Sequence, residues 1–73
     1  MARKVTLKQA SVIGNRLNLD WQQVDLKEFH MGLNVELEHT DVTKGDLIIT
    51  AKIALAHLDE LPDYYTRLKK MES

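Results

Sequence analysis

The stretch Leu47–Leu61, LIITAKIALAHLDEL, decides how this chain folds. Leu47, Ile48, Ala51, Ala54, Leu55 and Leu58 recur at the three- and four-residue spacing of one helical face. Ile49, Ile53 and Ala56 lie on the other side, which leaves mainly Lys52 and Asp59 for solvent. A helix apolar on most of its circumference belongs at the centre of a domain. Asp46 stands where an N-cap is needed. Pro62 stops the helix, because its ring clashes with the preceding turn and it has no N–H to donate.

Outward from this helix, the polar segment from His39 to Gly45 reads as a loop. Before it, Leu26 to about Glu38 forms a helix with Leu26, Phe29, Leu33 and Leu37 as its main stripe and Met31 and Val35 opposite. Asp25 precedes Glu28 by three residues, the capping-box spacing. Further upstream, Thr6 caps a helix from Leu7 to Leu17, whose buried stripe is Leu7, Ala10, Ile13 (with Gly14) and Leu17. Asp20 caps a short turn, and Trp21, the only tryptophan, is read as a core anchor. After Pro62 a last helix starts at Leu61 or Asp63 and buries Tyr64, Tyr65, Leu68 and Met71. Arg67, Lys69 and Lys70 crowd its last turns, where cations complement the helix dipole. The expected fold is all-α: a compact four-helix bundle with a central, mostly apolar third helix, as a single helical domain over residues 1–73.

Composition narrows the function classes. A chain of 73 residues supports one small core. There is no cysteine, so disulfide staples and thiolate zinc sites are excluded. That usage fits a cytoplasmic protein. Ten basic and eleven acidic side chains give a net charge of −1, which supplies no general field for nucleic acid or an anionic membrane. Thr50 and Lys52 interrupt the longest apolar stretch, and no apolar run follows Arg3-Lys4 to make a signal peptide. No membrane association is expected.

Candidate chemistry concentrates on Glu36, His39 and His57. Glu36 and His39 have the i,i+3 spacing that puts a carboxylate and an imidazole on one helical face. Di-iron bundles use this pair twice, with further glutamates, whereas here it occurs once. A metal reading takes the nitrogens of His39 and His57 with Glu36 and one more oxygen, a donor set suited to zinc, iron or manganese. In a simple helical hairpin the two histidines stand roughly 15 Å apart or more. They meet only if the loop runs back along the second helix. The reading favoured by the wheel is a structural polar cluster of Glu36, His39, His57 and Tyr64 or Tyr65, without a cofactor. Other patterns are weaker. Ser11 has no histidine nearby in sequence, Gly14 is not part of a phosphate loop, and Asp41–Asp46 lacks the closing glutamate of a calcium loop. The first two helices resemble a helix-turn-helix only loosely. The would-be recognition helix carries Asp25, Glu28, Glu36 and Glu38, which would face phosphates badly, so nucleic acid is disfavoured.

Two runs carry a family resemblance. Phe29-x-Met31-Gly32-Leu33-x-Val35-Glu36-Leu37-Glu38-His39-Thr40 is the first, and the second runs from Lys52 through Ala56-His57-Leu58 and Pro62-Asp63-Tyr64-Tyr65 to Leu68. Together they resemble a widespread family of small uncharacterised helical domains seen in phage and prophage proteins. The resemblance extends from Leu7 to Met71. It includes the Glu38-His39 pair, His57, and the segment from Pro62 to Tyr65. Members often have a glycine after the first histidine and a proline in the following loop, where this chain has Thr40 and no loop proline. The resemblance implies an origin and no mechanism.

The expected function is therefore a non-enzymatic small helical protein-interaction module, phage- or mobile-element-related, acting on an unknown protein partner or as a homo-oligomer. Its motive is the surplus of apolar side chains, with Met31, Val35 and Ile49 as the residues that would be exposed. The alternative is a metal-binding domain using Glu36, His39 and His57. A weaker alternative is DNA binding.

Overall fold

The structure, a computed structural model, describes residues 4–38 and 46–72. Four helices follow in order: α1 (Leu7–Arg16), α2 (Leu26–Leu37), α3 (Leu47–Glu60) and α4 (Tyr64–Glu72). The described residues contain no strand, as expected for an all-α bundle. No described helix is long and apolar enough to cross a membrane.

The ends of α1 follow from local chemistry. Thr6 Oγ1 accepts from Gln9 N at 3.1 Å while Gln9 Oε1 accepts from Thr6 N at 2.9 Å, a complete capping box. Replacing Thr6 by alanine removes half of this exchange and should cost about 1 kcal/mol. Urea denaturation reads that loss directly. At the other end Asn18 adopts the left-handed region, φ 58°. Asn18 N then donates to Asn15 O and Leu19 N donates to Gly14 O, the paired bonds of a Schellman motif. This reversal lays the Trp21 ring directly on Gly14, where a Cβ would collide with it. The indole Nε1 donates to Asn15 Oδ1 at 2.9 Å, and its ring lies 5.9 Å from that of Phe29. Trp21 thus anchors the edge of the core and stays half-buried. Asp20 caps its turn as expected, accepting from Gln22 N.

Helix α2 packs against all three others, and the mostly apolar α3 packs against α1 and α2 and reaches α4 through His57. Phe29, Leu33 and Leu37 form one buried stripe of α2, and Glu28, Gly32 and Glu36 form a second. On α3 the buried residues are Thr50, Ala51, Ala54 and Leu58, small at three of four positions, so α2 approaches closely. Thr50 satisfies its hydroxyl within its own helix, donating to Asp46 O at 2.7 Å. With neighbours only on its inner side, α3 leaves Ile48 39% and Ile49 44% exposed. Among the described residues no further helix covers the outer side of α3.

Two ends of the expected stripes also lie in solvent, Leu7 at 44% and Met71 at 83% exposure. Both sit at helix termini, Leu7 as the first residue of α1 and Met71 in the last turn of α4. Met31 and Val35 are half-buried and pack against the core instead of standing free. The segment before α1 is tied down as well. Val5 is buried, its N–H donates to Asn34 Oδ1 at 2.7 Å, and its carbonyl accepts from Asn34 Nδ2 and from His30 Nε2. A carbonyl can only accept, so Nε2 is the protonated nitrogen of His30 in this contact.

Candidate functional site

The second buried stripe of α2 is the foundation of the site. Glu28, Gly32 and Glu36 are spaced i, i+4, i+8, so they line up along one side of the helix with a gap at the glycine. Tyr65 of α4 fills that gap and is 1% exposed. A Cβ on Gly32 would stand 2.5 Å from Tyr65 Cε2, which is why this position carries no side chain. The two glutamates then hold the tyrosine at both ends. Glu28 Oε2 accepts from Tyr65 N at 3.1 Å and from Thr66 N at 3.3 Å, and Glu28 Oε1 accepts from the Thr66 hydroxyl. Glu36 Oε2 accepts from the Tyr65 hydroxyl at 2.9 Å.

Glu28 is therefore the N-terminal cap of α4, delivered from another helix. The expected capping box at Asp25 is only half made: Asp25 accepts from Lys27 N and Glu28 N, but the Glu28 side chain points away to α4. The reason is energetic. A returned bond to the Asp25 N–H satisfies one donor near solvent, whereas the contact with α4 satisfies three donors, one buried and two part-buried.

His57 closes the cluster from α3. Its Nδ1 lies 3.0 Å from the Tyr65 hydroxyl oxygen and 3.2 Å from Glu36 Oε2. The single hydroxyl proton goes to Glu36, so the hydrogen that joins His57 to both oxygens sits on Nδ1. The imidazole stacks on Tyr64 with ring centroids 4.6 Å apart and planes 7° apart. Tyr64 in turn meets Tyr65 edge-on at 4.9 Å. The alternative of Tyr64 or Tyr65 resolves to both, one by stacking and the other by hydrogen bonding. Side-chain exposure is 35% for His57 and 10% for Glu36, so the histidine forms the outer rim. Every buried side-chain nitrogen and oxygen among the described residues has a hydrogen-bond partner.

Electrostatics keep the Tyr65 hydroxyl protonated. Burial first, then its hydrogen bond to Glu36 and the negative charge there, push its pKa far above the usual phenol value of 10.0. In the unfolded chain the phenol ionises near that ordinary value, while the folded state keeps its proton. The folded state therefore loses ground as pH rises above 10, and stability below that point is unaffected by this group. The expected slope is a loss of about 1.4 kcal/mol per pH unit, seen in urea denaturation series above pH 10. The Tyr65→Phe variant, less stable at neutral pH, should lack that part of the alkaline slope.

Of the three sequence-expected metal ligands, Glu36 and His57 come together, and His39 lies outside the described residues. The polar atoms that would bind a metal are turned on each other and on Tyr65. No group of three or more His, Cys, Asp or Glu that could hold a metal ion occurs among the described residues. Glu60, three residues from His57, is exposed and outside the cluster. The helix proposed for DNA reading is α2, which lies inside the bundle with Glu28 and Glu36 buried. What the sequence argument missed is Glu28 as a long-range cap, Gly32 as the tyrosine's seat, and the His30–Asn34 clamp on Val5. The i, i+4, i+8 pattern of glutamate, glycine and glutamate was the available signal.

Fold and cluster define a small all-helical domain whose last helix is held by a buried tyrosine between two glutamates. The chain belongs to DUF5661, a family of proteins of unknown function, which matches residues 10–73. The match takes in every residue of the cluster. No curated protein and no solved structure matches the chain.

Proposed function

We propose that the chain is a non-enzymatic protein-interaction module that works through the outer side of α3. One observation carries this reading: Ile48 and Ile49 are exposed side by side at the start of a helix whose inner side is already packed. The adjacent exposed isoleucines, with half-buried Ile53 one turn on from Ile49, make an apolar surface of the kind that marks a contact site. The polar cluster supports a structural role for its residues. Tyr65 is inaccessible and holds its proton tightly, Glu36 is buried, and their polar atoms are used on each other. A cytoplasmic setting agrees with the absence of cysteine. A phage or mobile-element origin is supported by the resemblance of the two sequence motifs.

The test is a photo-crosslinking residue placed at position 49, in purified protein and in the expressing cell. The reading expects an adduct with another protein chain that disappears when Ile48→Asp is added. Surface substitutions of this kind change stability by only about 0.5 kcal/mol, so folding is preserved. Absence of any adduct in both settings would contradict the reading.

A further inference from the structure

The outer side of α3 has a self-complementary order. Ile48, Lys52, Leu55, Asp59 and Pro62 follow at alternating four- and three-residue spacing, which places them in one stripe along the helix and its end. Lys52 and Asp59 are exposed and form no ion pair among the described residues. Beside the stripe runs a concavity walled by Lys52, Leu55, Ala56, Asp59 and Pro62 on one side and by Gln23, Val24 and Asp25 on the other. An exposed isoleucine, two opposite charges and a groove of mixed polarity thus share one surface.

We propose that this stripe pairs with the same stripe of a second copy, antiparallel, about a two-fold axis close to Leu55 and Ala56. The proposal rests on the reading of α3 as the contact surface and names its partner. Reversing one helix against the other sets Lys52 opposite the partner's Asp59, and Asp59 opposite the partner's Lys52. Both pairs form at once, because the two residues stand about 10 Å apart along each helix and the two-fold reverses their order. Leu55 and Ala56 meet their counterparts at the axis, where the small Ala56 lets the helices approach. Ile48 then falls beside the partner's Pro62, at the end of the groove. A parallel arrangement would instead set Lys52 against Lys52 and Asp59 against Asp59, which like-charge repulsion opposes. The charge order therefore selects an antiparallel second copy.

The experiment is sedimentation equilibrium of the full chain and three variants, with circular dichroism to verify that each is folded. The wild-type protein is expected to reach twice the 8.4 kDa of one chain as concentration rises. Lys52→Asp and Asp59→Lys alone should each weaken association by roughly tenfold or more, since each places like charges face to face. The double variant Lys52→Asp/Asp59→Lys should recover the dimer, and an equimolar mixture of the two single variants should form a heterodimer. A monomer at millimolar concentration, or a dimer indifferent to all three variants, would overturn the proposal. The crosslink at position 49 separates the two levels. A monomeric protein that still crosslinks to a different chain overturns the homodimer and leaves α3 a contact surface. A monomer with no adduct removes both.

Discussion

Glu28→Ala should destabilise the domain by about 3 kcal/mol, because orphaned buried donors each cost on the order of 1–3 kcal/mol. The carboxylate takes two backbone N–H groups and one hydroxyl from the first turn of α4, and no side chain of α4 itself replaces it. For a domain of this length the loss corresponds to a fall of roughly 12–24 °C in Tm. Glu28→Gln keeps the shape and one acceptor oxygen, so it should recover part of the difference. Hydrogen exchange locates the effect: amides of α4 should lose protection more than those of α3. A Glu28→Ala variant as stable as the wild type would show that α4 is held by its apolar contacts alone.

Gly32→Ala carries the second large effect, and its sign opposes intrinsic propensity. In an isolated helix this change is favourable by about 0.5–1 kcal/mol. Here the added methyl meets three ring carbons of Tyr65, the nearest at 2.5 Å and the others at 3.0 Å. The ring has little freedom to move aside, because Glu28 holds its backbone and Glu36 holds its hydroxyl. Overpacking of this kind should leave a net loss of about 2 kcal/mol. Thermal denaturation decides the matter. A gain in Tm would mean that the ring does not rest on Gly32.

These two residues also show where the sequence stopped being readable. The starts of α1, α2 and α3 were legible because each has its own local signal: Thr6, Asp25 and Asp46 all cap the helices that follow them. Glu28 was misread for the same reason. Its spacing from Asp25 fits a capping box, and the competing donors of α4 lie 37 residues away. Nothing local distinguishes a short-range cap from a long-range one. Gly32 shows the same limit, since its neighbour is a tyrosine brought there by packing. The grouping of Glu36, His57 and the tyrosines was legible from helical position, because each falls at the edge of an apolar face. The order of donors, Tyr65 to Glu36 and His57 to both oxygens, was not. For α3, apolar periodicity indicated a central helix, and among the described residues the other helices cover its inner side while Ile48 and Ile49 stay exposed.

The claim that α3 pairs with α3 of a second copy is tested most directly by the methyl spectrum of the four isoleucines, Ile13, Ile48, Ile49 and Ile53. Ile13 is buried in α1 and serves as the internal reference. From micromolar to millimolar concentration the Ile48 methyl should shift progressively, with a smaller shift at Ile49 and none at Ile13. Lys52→Asp should suppress the shift, and adding the Asp59→Lys variant should restore it. Four methyl signals unchanged over that range would contradict the self-association on which the account converges.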